Sequence, residues 1–468
     1  MNKMWVTILL SGLGAALHIY LFYPGGGETD LKVSFAQALA GKGYDDRHPP
    51  IIAAVWRVML NYLPGQLGFF FADVLAFWLG LGLISLWWHR RAGSLAWIFL
   101  GVGLWPPLSI QFGAILKDLQ QLTAILLAFG LLLWALEKKS RVCFLLAFIP
   151  LCYSAWAKKN GIVAALPLCI WSVEVLRRVT DRKIRGALPL GLILTAAIWG
   201  FGQLIESRVL QAYQTNPQQI VWSYDLVGAS VNAQKVLVPP ELGAFSLAEL
   251  RRLYDPLWAV PLFYSDVLPE SIDPDTSRSP PLPVQPEVSR RFPIFDTEAE
   301  VRLLREAWFR AWLTEPIALL THKATIFKHL LGIDIAHVCE PYHDSYYLGG
   351  GWSEVPQLSQ GTLRFWMNRF VTRGIYYVRN TILFRPWFYV LSLGLISLYL
   401  WKQHSASSRP FFYFSASALL HTSSFFMATA GCVFRYALML VLATLLMLCA
   451  AVCVRFGSST QPQDGIKG

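Results

Sequence analysis

The chain has 468 residues, of which 55% are hydrophobic and only 15% charged, and its mean hydropathy is +0.43. Soluble domains carry about 25% charged residues, so a wholly soluble fold is excluded. The formal charge of +11 comes from Lys and Arg gathered beside apolar segments, which is the positive-inside arrangement of a membrane protein and not a nucleic-acid face.

Met4–Tyr23 is the first apolar span; no small-residue cleavage site follows it, and it reads as a retained helix. An outer loop, Pro24–Pro64, comes next, in which Pro50, Ile52, Val55, Met59 and Leu63 fit a helix lying along the membrane. Gln66–Trp88 is a span ending at His89, Arg90 and Arg91, an inside signal, and Leu95–Leu116 returns to Lys117 and Asp118. Further spans are expected to Glu137, over Val142–Ala157, over Ile162–Leu176 and over Gly186–Ile205. The inner loop at Arg177–Arg185 is the most basic segment.

Residues 206–386 are too polar for the bilayer. Thr297 and Glu300 form a capping box ahead of Val301, Leu304, Trp308 and Trp312 on one helical face. A second helix is expected from Thr314–Pro316 to Gly332, with Ile317, Leu320, Ala324, Phe327 and Leu331 as its apolar stripe and His322, Lys323 and Lys328 opposite. Ser279–Pro286 reads as a Pro-rich connector. Spans at Trp387–Trp401, to Ala428 and to Val454 complete an all-α polytopic membrane protein of about ten transmembrane helices with interfacial helices. Its parts are a membrane module, 1–205, with the first outer loop, a large mainly helical periplasmic segment, 206–386, and C-terminal helices, 387–468. Both termini are expected inside from the alternation of basic span ends, and the lack of an Asn-x-Ser/Thr sequon in the outer segment favours a bacterial inner membrane. Of the cysteines, only Cys339 and Cys432 lie near the outer face, and neither a disulfide framework nor a metal-ligand spacing follows.

A charge beside hydrocarbon is costly without a task or a partner, so the outer ends of the spans carry the chemical information. In Tyr44-Asp45-Asp46-Arg47-His48-Pro49-Pro50, two carboxylates with an Arg and a His suit proton removal from a hydroxyl. The alternative is that Asp46 caps the following helix. Lys117-Asp118, Lys159-Asn160-Gly161 and Phe434-Arg435-Tyr436 occupy further outer turns; for their cations the alternative is interfacial anchoring. Asp225, His322, Lys323 and His343 are expected to be inessential for the most part.

The Asp46-x-His48-Pro49-Pro50 string in the first outer loop resembles the GT-C superfamily of membrane glycosyltransferases, including its protein O-mannosyltransferase branch and bacterial relatives. Lys117-Asp118, Lys159-Asn160-Gly161, Tyr224-Asp225-Leu226, the Trp308–Gly332 helical pair and Phe434-Arg435-Tyr436 follow in the order such enzymes show. Relatives often carry Arg where this chain has Lys159. The resemblance implies a polyprenyl-phosphate sugar donor and a first-loop carboxylate as base, Asp46, with Asp45 as its understudy; the acceptor, a lipid, glycan or protein, is not carried over from it. On their charge and their place at the outer turns, Asp118 is expected to shape the site, Lys117, Lys159 and Arg435 to meet the donor phosphate, and His48, Asn160 and Tyr436 to lie at the substrate. No metal is demanded, although carboxylates near one mouth leave a divalent cation possible. The competing classes are a transporter or lipid flippase, and an envelope polysaccharide polymerase or ligase.

Overall fold

A computed structural model of the chain describes residues 3–27, 29–182, 185–263, 291–336, 338–339 and 361–457. The connector Ser279–Pro286 and His343 lie outside them. The described residues are almost wholly helical. Five helical stretches are long and apolar enough to cross a membrane: Met4–Phe22, Leu67–Leu104, Lys117–Lys138, Ala187–Val209 and Phe434–Gly457.

In chain order the helices are α1 (Lys3–Phe22), α2 (Thr29–Ala40), α3 (Pro50–Leu60), α4 (Leu67–Ala92), α5 (Lys117–Lys138), α6 (Arg141–Trp156), α7 (Gly161–Thr180) and α8 (Ala187–Leu204). Beyond them come α9 (Gln219–Ala233), α10 (Glu298–Thr314), α11 (Pro316–Leu330), α12 (Leu363–Val378), α13 (Pro386–Lys402), α14 (Arg409–Ala428) and α15 (Leu438–Gly457), with shorter turns between. Helix α2 was not evident from the sequence. Helix α3 begins at Pro50, where a missing N–H costs nothing, and buries Ile52 and Trp56.

Helices α4 and α5 run side by side in the same direction. Thr123 donates to Asp73 near their starts at 3.0 Å, while Arg90 and Arg91 both pair with Glu137 at their ends. Their backbones approach closely at Gly80 and Gly130, where a Cβ on Gly130 would stand 3.0 Å from the Gly80 carbonyl oxygen. Parallel neighbours require the chain between them to travel the length of the bundle in reverse. Residues 93–116 do so, but not as the single helix expected over Leu95–Leu116. Gly93 turns with φ 60°, and Trp105 is extended because proline disfavours helix in the residue before it. Short helical pieces at Ile98–Gly101 and Pro106–Ser109 are joined by 3-10 turns, and the segment ends in a two-residue strand, β2 (Ala114–Ile115), paired in parallel with β1 (Gly26–Gly27). Ala96, Phe99, Leu108 and Phe112 are buried, so this irregular backbone lies inside protein, where its polar groups can be satisfied.

The bundle has two distinct ends. At one lie Arg90, Arg91, Lys139, Arg177, Arg178 and Arg409; at the other lie the start of α5, the turn between α6 and α7, and the turn between α14 and α15. Its flanks are apolar: on α8, Leu188, Ile193, Trp199 and Phe201 are more than half exposed, a row that soluble monomers rarely show.

A second apolar core joins α9, the Ser246-capped helix Leu247–Leu253, α10 and α11 through Leu226, Leu250, Leu304, Leu319 and Ile326. The Thr297 side chain caps α10 as its sequence indicates. Helix α11 begins at Pro316 and stops before Gly332 as expected, but its expected stripe is rotated. Leu319, His322, Lys323, Ile326 and Leu330 face inward, whereas Ile317 is 80% exposed. The reason is electrostatic: the buried Asp225 of α9 draws Lys323 inward to a 2.6 Å ion pair. Cys339 and Cys432, for which no pairing followed from the sequence, form a disulfide across Cα atoms 5.6 Å apart. Helix α12 turns Asn368 and Thr372 inward and leaves Leu363, Trp366, Phe370 and Tyr377 exposed. Arg364 and Asn368 donate to the carbonyls of Tyr20 and Leu21, capping the end of α1 at 2.7 and 3.0 Å.

Candidate active site

The first-loop acids are held by backbone pairing with a distant segment. Tyr213 N donates to Tyr44 O at 3.0 Å and Asp46 N donates to Tyr213 O at 3.2 Å, a short parallel bridge that fixes Asp45 and Asp46. Asp45 is buried, and both its oxygens are occupied: Oδ1 accepts from Arg47 N at 3.0 Å and Oδ2 from the Tyr213 hydroxyl at 3.2 Å. Asp46 differs. Its Oδ1 accepts from Thr215 N at 2.6 Å and Thr215 Oγ1 at 2.7 Å, while Oδ2 faces Lys159 Nζ at 3.4 Å. Asp46 is not the cap of α3, whose cap position is Pro49 with no side-chain hydrogen bond. Tethering to Thr215 is what carries the carboxylate away from that helix.

The pairing of β1 with β2 brings the start of the first loop against Ala114 and Ile115, directly before Lys117 and Asp118. Lys117 Nζ lies 2.8 Å from His48 Nδ1. Asp118, at the first turn of α5, sits between two cations: Lys158 Nζ bonds Oδ1, and Arg435 Nε lies 3.5 Å from Oδ2. Lys158 also rests 4.5 Å from the Phe425 ring and 4.3 Å from the Tyr436 ring, which stack at 4.3 Å. Burial pushes its ammonium down to about 8, against the opposing pull of Asp118. Its neighbour Lys159, with a side chain 53% exposed, turns toward Asp46 instead. Asn160 donates to Ser424 Oγ at 2.8 Å, fastening the lysine turn to α14. The disulfide and the bond from Phe434 N to Cys339 O hold the turn that carries Arg435.

Asp46, His48, Lys117, Asp118, Lys159, Asn160, Arg435 and Tyr436 therefore belong to one neighbourhood at the less basic end of the bundle, and Asp45 supports it from beneath. Sequence reasoning missed Lys158, Tyr213, Thr215 and the buried His421, which feels the charges of Lys158 and Asp118. A signal for Lys158 did exist, since adjacent lysines at the end opposite the basic clusters run against the positive-inside pattern. Tyr213 and Thr215 sit in a polar stretch without period and carried none.

Asp225, His322 and Lys323 are not part of this neighbourhood. They form a fully buried network in which Trp308 Nε1 donates to Asp225 at 2.8 Å, His322 meets the Tyr254 hydroxyl at 2.9 Å, and Lys323 donates to Met427 O at 2.8 Å. Burial lowers the His322 imidazole and the Lys323 ammonium from their usual ranges, with Asp225 opposing both shifts. The bond to Met427 ties the second core to the end of α14, close to the Arg435 turn. Among the described residues no three His, Cys, Asp or Glu side chains form a group that would hold a metal ion. Comparison with models of known families, with curated proteins and with solved structures finds no match for this chain.

Proposed function

We propose that this protein is a membrane glycosyltransferase of the GT-C kind, moving a sugar from a polyprenyl-phosphate donor to an acceptor hydroxyl at the outer face of a bacterial inner membrane. The observation that carries the reading is the linked cluster of Asp46–Lys159, Lys158–Asp118–Arg435 and Lys117–His48. It draws on four separated segments, at the end of the bundle away from the arginine clusters. In this reading the chain crosses the bilayer ten times, counting residues 93–116, with both ends in the cytoplasm. Helices α3 and α12 lie along the outer interface, where Trp366, Phe370 and Tyr377 meet lipid.

Each carboxylate has a distinct place in the chemistry. Asp118 is enclosed by cations, so its oxygens organise charge and are poorly placed to accept a proton. Asp45 has both oxygens occupied. Asp46 keeps Oδ2 toward the exposed Lys159, and it takes the proton from the acceptor hydroxyl as that oxygen attacks the anomeric carbon. The sugar–phosphate bond breaks with inversion, and the polyprenyl phosphate departs with the charge that Lys159, Lys117 and Arg435 stabilise. The test is turnover by purified protein with a polyprenyl-phosphate sugar set against the matching nucleotide sugar. Turnover of the nucleotide sugar alone would refute the reading.

One observation favours a transporter: Asp73 is buried within α4, bonded through one oxygen to Thr123, and intramembrane carboxylates often mark ion or proton paths. Proteoliposome transport lost in Asp73→Asn, with glycosyl transfer absent throughout, would establish that alternative.

A further inference from the structure

At the arginine-rich end of the bundle, remote from the cluster above, a cavity of about 690 Å³ opens between the ends of α4, α5 and α7 and the turn from α13 to α14. A second, of about 590 Å³, adjoins it and shares Glu174, Arg178 and Arg409. The acids of these walls already have cations. Glu137 is held by both Arg90 and Arg91, Asp181 by Lys139 at 3.0 Å, and Glu174 by Arg409 at 3.1 Å together with the Tyr413 hydroxyl. Arg177, Arg178 and Arg185 line the second cavity, are exposed, and have no acidic partner among the described residues. Arg178 borders both spaces. Trp87, Trp171, Leu136 and Val175 form the other wall of the first cavity; Trp87, Trp171 and Val175 are buried, and the Arg91 guanidinium lies 3.8 Å over the Trp87 ring.

We infer that this end of the bundle holds the phosphate of an anionic lipid, with Arg178 and Arg185 gripping the headgroup. A positive-inside signal alone calls for basic residues in a loop; it does not call for three guanidinium groups that converge on one walled space with no acidic partner among the described residues. Guanidinium is the side chain best matched to phosphate, because its planar fork presents paired donors to two oxygens, and basic pockets between membrane helices on the inner side suit lipid phosphates. The inference rests on the bundle being embedded in a bilayer, and it is independent of the transfer reaction.

The full-length protein in detergent, titrated with phosphatidylglycerol, phosphatidylcholine and inorganic phosphate, tests it by native mass spectrometry. Phosphatidylglycerol should bind in preference to phosphatidylcholine. The double substitution Arg178→Gln with Arg185→Gln should weaken it by about tenfold or more, the size of one or two lost charge-assisted contacts. Lys402→Gln removes one charge from the same end, outside both cavities, and should leave binding within about twofold, well short of the tenfold step that one such contact is worth. Equal loss in the double variant and the Lys402 control would show general attraction and overturn the site. Inorganic phosphate binding as tightly as the lipid, with the same arginine dependence, would keep the phosphate site and overturn the lipid as its source. Absence of binding by any of the three would overturn the proposal outright. Unchanged unfolding temperatures confirm that the exposed substitutions leave the fold intact, and glycosyl transfer, assayed in parallel, is expected to persist in all variants in lipid-free detergent.

Discussion

Asp46 and Asp118 are both carboxylates at the mouth of the bundle, yet their surroundings assign them different consequences on mutation. Asp46→Asn keeps the bonds from Thr215 to Oδ1 and removes the proton affinity together with the negative charge that faces Lys159. Turnover should fall by about two to four orders of magnitude, the range that general-base catalysis contributes, with normal membrane expression. Near wild-type turnover would remove Asp46 from the mechanism. Lys158 gives a pH prediction. Its ammonium is pushed down to about 8 by burial, so as pH rises through that value the cation beside Asp118 is lost and activity should decline. Lys158→Arg, which cannot deprotonate in this range, should move that alkaline limb upward by a unit or more if it folds; a limb that stays in place would separate Lys158 from catalysis. Asp46 and Asp118 were singled out in the sequence because acids beside hydrocarbon are rare; Lys158 was not. Which of Lys158 and Lys159 turns inward was not legible, because the register of the turn before α7 decides it.

Among the elements, the turn between α14 and α15 is the one whose placement depends most on distant chain. Cys339 crosses 93 residues to Cys432, and the backbone bonds of Cys432 N to Leu257 O and Phe434 N to Cys339 O pin the segment that leads to Arg435. Replacing both cysteines by serine should lower donor affinity and turnover together, by up to about a hundredfold if the guanidinium shifts by an ångström. The unfolding temperature should also fall, since a loop of this length contributes about 4–5 kcal/mol in the chain-entropy treatment. An unchanged KM for the donor would show that the turn is placed without the bond. Apolar runs near 20 residues made α1, α4, α5, α8 and α15 readable. Residues 93–116 have the same composition as a helix, and only Gly93, Pro106 and Pro107 hinted at a break. Helix α11 was misread for a definite physical reason: assigning faces by hydrophobicity assumes that charges face water, whereas Lys323 and His322 are buried against Asp225.

For the whole molecule, sidedness connects the cluster around Asp118 with any outer substrate. The parallel course of α4 and α5, with residues 93–116 returning between them, places Arg90, Arg91, Lys139 and Arg177 at one end and Asp46, Asp118 and Arg435 at the other. The proposed function puts the basic end in the cytoplasm, in keeping with the positive-inside rule, and the Cys339–Cys432 bond on the oxidising side, where disulfides persist. Two unrelated features, one electrostatic and one redox, support that proposed orientation. A reporter that is active only in an oxidising compartment, inserted near Pro281, should be active, and one inserted near Arg182 should be silent. The opposite pattern would put Asp46 on the cytoplasmic side, where nucleotide sugars are plentiful, and the lipid-linked donor would lose its topological basis.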